Sequence, residues 1–214
     1  ELDTEIARLN IDILAMTEIN NHFKILPAQD QWSERMQALP RNHSVCATNI
    51  HSASNRNHLY GGSAQMLFGP MSYRATTSER DPAGLGRWVS TRCQGKGGIC
   101  IRFITGYRPN LDRDGGPYTV YSQQEKRFKQ VDPDGDRCPR QAFFEDLHQE
   151  MLGWLTEGEQ IVLSLDANED VRHGDIAQWV ETWGLVDAHR QAHPNLPSVE
   201  TCSSNTSAVP IDGI

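Results

Sequence analysis

Between Arg87 and Asn110 the chain reads RWVSTRCQGKGGICIRFITGYRPN. Two runs with strand character, Arg87 to Cys93 and Ile99 to Gly106, flank a short connector rich in glycine, which is the chemistry of a hairpin. At least part of the sheet is therefore antiparallel. That excludes a simple doubly wound parallel sheet as the whole architecture. Outward from this hairpin the pattern alternates strands with helices, as in a layered α/β domain. Further strands are expected at Ile11 to Met16, Val45 to Ile50, Ser63 to Phe68 and Ile161 to Leu165.

Helices are expected at Gln31 to Leu39, Tyr118 to Lys129 and Ala177 to Trp183, and most clearly from Pro139 to Thr156. In that last segment Phe144, Leu147, Met151 and Leu155 form one stripe; Pro139 suits the first turn and Gly158 a stop. Glu1 to Asn10 places Leu2, Ile6 and Leu9 at helical spacing, and the chain closes on Val-Pro-Ile-Asp-Gly-Ile with no turn signal. Both ends fall inside elements, so a fragment is expected. No internal repeat or low-complexity linker interrupts residues 1–214, which read as a single domain. The loop Val131 to Arg137 carries three aspartates at alternate positions but lacks the length and closing glutamate of a calcium loop, and reads as a solvated turn.

The 214 residues are 37% hydrophobic and carry a formal charge of −8, enough apolar content for a core in an acidic globular chain. No apolar run approaches the roughly 20 residues that a spanning helix needs, so no membrane role is expected. The acid-rich first twenty residues lack the layout of a signal peptide. Five cysteines without metal-ligand spacing read as reduced thiols in an intracellular compartment. The charge is unevenly placed. Arg41 to Arg140 holds 15 Lys and Arg against 8 Asp and Glu, a surplus of +7, whereas the remainder stands at −15. A basic middle is either a polyanion footprint or a set of scattered solvated arginines.

Four short segments carry chemistry. The run Asp12 to Asn20 (DILAMTEIN) is apolar through Met16 and then presents Glu18, a carboxylate at a strand exit where a hard divalent cation is held in layered α/β folds. The run Ile161 to Asn168 (IVLSLDAN) repeats that design with Asp166 and Asn168: an acid to take a proton or orient water, and a neutral amide to donate to phosphate. Gly106 to Asn110 (GYRPN) offers a phenol at Tyr107, a guanidinium at Arg108 and an amide at Asn110. Near the end, Pro210 to Ile214 places Asp212 among apolar residues, where a buried acid needs a partner. Each segment taken alone also suits a structural role: a structural glutamate, an Asx turn, a loop with a half-buried tyrosine.

Their order is more informative. Strand-Glu18, Gly61-Gly62-Ser63, Gly-Tyr-Arg-Pro, strand-Asp-Ala-Asn and Ile-Asp-Gly-Ile together resemble the endonuclease/exonuclease/phosphatase superfamily. That superfamily includes deoxyribonuclease I, abasic-site endonucleases and the endonuclease domains of non-LTR retrotransposons, and the resemblance spans nearly the whole chain. Gly-Arg-Trp-Val before Gly-Tyr-Arg-Pro, with the Ile-Asp-Gly-Ile ending, looks most like the retroelement members. The resemblance implies a four-layer α/β sandwich with two mixed β-sheets flanked by helices, truncated here at both ends. It implies Mg²⁺ (or Mn²⁺) held by Glu18, and Tyr107 on the scissile phosphate. Asp166 would position or deprotonate water, Asn168 hold phosphate and nucleophile, and Asn110 contact the nucleic-acid backbone. Asp212 matches the aspartate that orients a catalytic histidine.

The family's first strand is expected before Glu1 and its closing Ser-Asp-His after Ile214. None of the eight histidines stands in that context, and His173 reads as a loop residue. The expected activity is metal-dependent phosphodiester hydrolysis by a DNA endonuclease of retroelement type. DNA is the implied partner, fusion to a reverse transcriptase in a longer polypeptide the implied setting, and the nucleus the implied location. A chain lacking those two elements is expected to be poorly active. The alternatives are a phosphatase or phospholipid phosphodiesterase of the same fold, or a non-catalytic nucleic-acid-binding remnant.

Overall fold

In a computed structural model, residues 2–21, 28–36, 42–52, 59–111, 116–196, 201–203 and 208–213 are described. In chain order the elements begin with α1 (Leu2–Leu9), β1 (Ile13–Thr17), α2 (Ala28–Met36), β2 (Asn42–Ala47), β3 (Ser63–Phe68) and α3 (Gly69–Ser72). They continue with β4 (Ala75–Arg80), β5 (Trp88–Gln94), β6 (Cys100–Tyr107), α4 (Val120–Val131), α5 (Pro139–Thr156) and β7 (Gln160–Asp166). α6 (Gly174–Thr182), α7 (Ala188–Ala192), β8 (Cys202–Ser203), β9 (Ala208–Val209) and β10 (Asp212–Gly213) complete the chain.

Two sheets stack between two helical layers. The first has the order β1-β3-β2 and is antiparallel throughout its described strands. The second, β10-β7-β6-β5-β4, is mixed, because only β6 and β7 run parallel. The hairpin read from the sequence is β5-β6, paired from Trp88↔Gly106 to Gln94↔Cys100. The parallel β6-β7 pair needs a long crossover, and α4 and α5 supply it. β8 and β9 form a separate short ribbon.

Three apolar clusters define the layers. Ile6 of α1 and Trp32 of α2 pack with Cys46, Ala64, Met66 and Phe68 on one face of the first sheet. Phe143, Phe144, Leu147, Met151 and Trp154 of α5 join Ile176 of α6 against Trp88, Ile104, Leu163 and Leu165 of the second. Val45, Ala47 and Val89 fill the space between the sheets, where Gln65 Nε2 also donates to Thr105 Oγ1 at 3.1 Å. The α/β sandwich expected from the sequence is thus present: helices, sheet, sheet, helices.

Some local expectations shift. β4 is missing from the sequence reading because Ala75 to Arg80 is a polar edge strand without apolar alternation. Leu9 is exposed, so the inward face of α1 is set by Ile6. On α5 the stripe ends at Trp154 rather than Leu155. Trp154 is buried, its ring lies 4.4 Å from the Arg102 guanidinium, and its indole N–H donates to Glu79 at 3.1 Å, while Leu155 is 42% exposed. β2 begins at Asn42 and stops before Ile50, which is exposed.

Gly86 couples the two sheets at their functional end. Its φ is +73°, and an added Cβ would lie 2.7 Å from the Thr48 carbonyl carbon at the exit of β2. Gly97, in the β5-β6 turn, has a φ of +69° with no atom within 4 Å of a Cβ. Gly97→Ala is therefore expected to cost about 1 kcal/mol from backbone strain alone. Gly86→Ala adds a backbone clash and is expected to cost about 2–4 kcal/mol in urea unfolding. Equal costs at the two positions would show that the sheets do not meet at Gly86.

Candidate active site

The strand exits of both sheets face one end of the sandwich. Two local choices prepare that end. Glu18, Asn20 and Asn168 all adopt left-handed backbone, each with φ 49°. For residues other than glycine this conformation costs free energy and clusters at functional sites, where surrounding contacts hold it. Around Asn20 those contacts are to the entry of β3. Its N–H donates to Gly61 O at 3.0 Å, and Gly61 N–H donates back to Asn20 Oδ1 at 2.8 Å.

Register places the remaining groups. Tyr107 on β6 is the parallel neighbour of Asp166 on β7, and Asp212 on β10 is the antiparallel neighbour of Asp166. Tyr107, 3% exposed, sends its phenol across to the other sheet and donates to Glu18 Oε1 at 2.7 Å. Asp166 Oδ1 accepts from the Asn168 N–H at 3.1 Å, closing the Asx turn. Asn168 Nδ2 donates to Arg108 O at 2.8 Å, which fastens the β7 exit to the β6 exit. Asp166 and Asp212 also line a cavity of about 470 Å³ between the sheets, together with Thr17, Thr105 and Ser164.

Five of the residues singled out from the sequence therefore come together: Glu18, Tyr107, Asp166, Asn168 and Asp212. Asp212 is exposed, so the expectation of a buried acid in need of a partner is replaced by an exposed carboxylate beside Asp166. Asn110 is exposed just past the β6 exit, and His173 is exposed at the start of α6. Arg108 differs most from expectation. It is 1% exposed, its guanidinium lies 4.3 Å from the Phe144 ring centre, and its charge is met by Glu169. Such a side chain is not disposed to neutralise a phosphate.

The role of Arg108 becomes clear from two residues that the sequence reading passed over. Glu169 accepts from Arg108 and, at 2.5 Å, from Arg140, and its other oxygen accepts the Ile176 N–H at 3.0 Å. Arg140 donates to Pro109 O at 2.8 Å and to Asn168 O at 3.4 Å. Burial opposes ionisation of Glu169, but the Ile176 N–H and the two guanidinium groups hold its pKa below the ordinary value. One carboxylate thus ties the β6 exit, the β7 exit and the starts of α5 and α6, and holds Asn168 in its left-handed turn. Glu169 stands directly after Asp-Ala-Asn in the sequence, whereas nothing local signals that Arg140 reaches it.

Electrostatics separates the acid from the phenol. Burial, then Asp212, and to a lesser extent Glu18 push Asp166 up to about 7 from 3.8, despite the Asn168 N–H that favours its anion. Burial and the hydrogen bond and charge of Glu18 raise Tyr107 well above an ordinary phenol, with the Asn168 side chain working the other way. Tyr107 therefore stays protonated and acts as a donor, while Asp166 changes state near neutrality.

These donors fit a hard divalent cation. The site gathers negative charge that raises Asp166, and a cation relieves that excess. Among the described residues no three His, Cys, Asp or Glu side chains form a closed cage. Glu18, at the exit of β1 beside Tyr107, is the carboxylate that could hold such a cation.

Asp166 also ties function to stability. Its folded pKa of about 7 lies above its ordinary 3.8, so the folded state holds an extra proton between those values. Stability should fall as pH rises through that window. In EDTA the protein is expected to be less stable at pH 8 than at pH 5. Asp166→Asn should remove Asp166's share of the slope and stabilise the protein at pH 8 by on the order of 2 kcal/mol in urea unfolding. An unchanged slope in Asp166→Asn would mean that the carboxylate is not strained.

No protein-family profile matches the chain, and no curated protein sequence is significantly similar to it. Solved structures are similar. The catalytic domain of human Nocturnin with bound sulfate is 13% identical, aligns over 99% of this chain and 71% of its own, and superposes with a TM-score of 0.58. An endonuclease/exonuclease/phosphatase from Bacteroides vulgatus is 12% identical over 99% of this chain and 75% of its own, with a TM-score of 0.55. The endonuclease domain of TRAS1, a telomere-specific non-LTR retrotransposon, is 12% identical over the same shares, with a TM-score of 0.51. Sheet order, layer order and this likeness agree: the chain has the endonuclease/exonuclease/phosphatase fold.

Proposed function

We propose that this chain is a metal-dependent phosphodiester hydrolase, a DNA endonuclease of the retroelement type. One observation carries the reading: groups from four separate segments, Glu18, Tyr107, Asp166 with Asn168, and Asp212, face one end of the sandwich. Their chemistry suits hydrolysis at phosphorus. Asp166, poised near neutrality, accepts a proton from the attacking water. The Asn168 amide, fixed by its bond to the Arg108 carbonyl, orients water and phosphate without adding charge. The Tyr107 phenol, whose single hydrogen goes to Glu18 Oε1 in the free protein, would exchange that bond for one to a phosphoryl oxygen when substrate binds. Glu18 would hold Mg²⁺ or Mn²⁺, which when bound would supply neutralisation of the phosphate and of the leaving oxygen. Asp212 adds the negative charge that keeps Asp166 basic. The retroelement assignment and the setting beside a reverse transcriptase rest on the Gly-Arg-Trp-Val, Gly-Tyr-Arg-Pro and Ile-Asp-Gly-Ile segments.

Nicking of supercoiled plasmid tests this reading. Slow conversion to open circles is expected in Mg²⁺ or Mn²⁺, in keeping with the poor activity expected from the sequence, and none in EDTA. Asp166→Asn and Glu18→Gln should each lower kcat by about 100-fold or more, and Tyr107→Phe by about 10- to 100-fold, with smaller effects on KM. Nicking that persists in EDTA, or that Asp166→Asn leaves intact, would contradict the assignment.

A further inference from the structure

Among the described residues, Asn168 has a partner for each of its polar groups but one. Its N–H donates to Asp166 Oδ1, its carbonyl accepts from Arg140 Nη1, and its Nδ2 donates to Arg108 O, whereas Oδ1 meets no partner. A carbonyl can only accept, so the bond to Arg108 O fixes which way the amide faces. Turned over, the side chain would set oxygen against oxygen. The orientation of Oδ1 is therefore decided by whatever holds the Arg108 carbonyl and the Asn168 backbone.

Arg140 reaches both segments from the first turn of α5. Its Nη1 donates to Pro109 O at 2.8 Å and to Asn168 O at 3.4 Å, and its Nη2 donates to Glu169 Oε2 at 2.5 Å. One planar guanidinium thus spans the loop after β6 and the loop after β7. Charge balance asks only for a carboxylate at close range; the bonds to two uncharged carbonyls are additional to it, and they need the fork of an arginine. Glu169 seats that fork, because its Oε1 is itself anchored by the Ile176 N–H of α6. From the β10 side of the sheet the same loop is held by Ala167 N–H to Ile211 O at 2.8 Å and by Val171 N–H to Pro210 O at 3.0 Å. Asn168 lies between these two sets of bonds in left-handed backbone, a conformation that persists only where its surroundings impose it. The crossover that makes β6 and β7 parallel therefore also delivers the side chain that aligns their exits.

We propose that Arg140, seated by Glu169, is a positioning residue for hydrolysis: it sets the Asn168 amide at the site without touching the reacting atoms itself. The proposal rests on the hydrolase reading and deepens it. Glu169→Gln would leave two buried guanidinium groups without their carboxylate and can unfold the chain. Arg140→Lys is the better variant, because it keeps the charge beside Glu169 while an ammonium lacks the fork that reaches both carbonyls. With bis(p-nitrophenyl) phosphate in Mg²⁺, Arg140→Lys is expected to lower kcat by about 10-fold or more with KM nearly unchanged. In an Asn168→Ala background the same substitution should cost nothing further, since the two residues act as a unit. The side-chain amide signals of Asn168 in a proton–nitrogen correlation spectrum, identified by their loss in Asn168→Ala, should move towards those of a free amide in Arg140→Lys. A kcat equal to the parent's, amide signals that stay in place, or losses that multiply in the double variant would each overturn the proposal. If the unaltered protein hydrolyses nothing, the hydrolase reading fails, and the amide signals alone decide whether Arg140 positions Asn168.

Discussion

The Tyr107 to Glu18 hydrogen bond joins the two sheets at the point where chemistry is possible. Glu18 belongs to the antiparallel sheet and Tyr107 to the mixed one, and their 2.7 Å contact brings β1 and β6 to a common end. The rest of the site follows from register. Once Tyr107 is placed, Asp166 is its neighbour through the β6-β7 ladder and Asp212 is the neighbour of Asp166. Displacing β7 by one residue along β6 would turn Asp166 to the opposite face of the sheet. The site therefore depends on strand pairing as much as on the identity of its acids.

Charge is arranged in two zones with opposite logic. Under the site, Arg108, Arg140 and Glu169 form a buried network whose charges are matched and whose bonds hold Asn168 and Pro109 in position. At the site, Asp166 and Asp212 are adjacent, and with Glu18 they leave Asp166 well above its ordinary pKa. The first zone is rigid because its hydrogen bonds are satisfied. The second is strained, because its carboxylates are drawn together where the strands of the two sheets end.

Much of this was legible in the sequence, for identifiable reasons. The β5-β6 hairpin was readable from its glycines, and α5 from Pro139 and its apolar stripe. Glu18, Asp166 and Asn168 stood out because each ends a strand, and strand ends meet at one side of an α/β sandwich. What was not legible depends on contacts distant in sequence. β4 is a polar edge strand whose place comes from pairing with β5. Trp154 displaces Leu155 because Arg102 and Glu79 lie in wait for it. Arg108 follows a tyrosine in a motif that invites a phosphate-binding role, yet its fate is set by Glu169 and by the ring of Phe144. The surplus of basic residues in the middle of the chain was likewise visible, but not its use in interior ion pairs.

A double-mutant cycle between Tyr107 and Glu18 tests the central claim most directly. Urea unfolding of the unaltered protein, Tyr107→Phe, Glu18→Gln and the double variant isolates the energy of the contact that joins the sheets. A charge-assisted hydrogen bond at a partly buried site predicts a favourable coupling of about 1–3 kcal/mol. A coupling of zero would mean that the two side chains do not meet, and that Glu18 and Asp166 do not share a site.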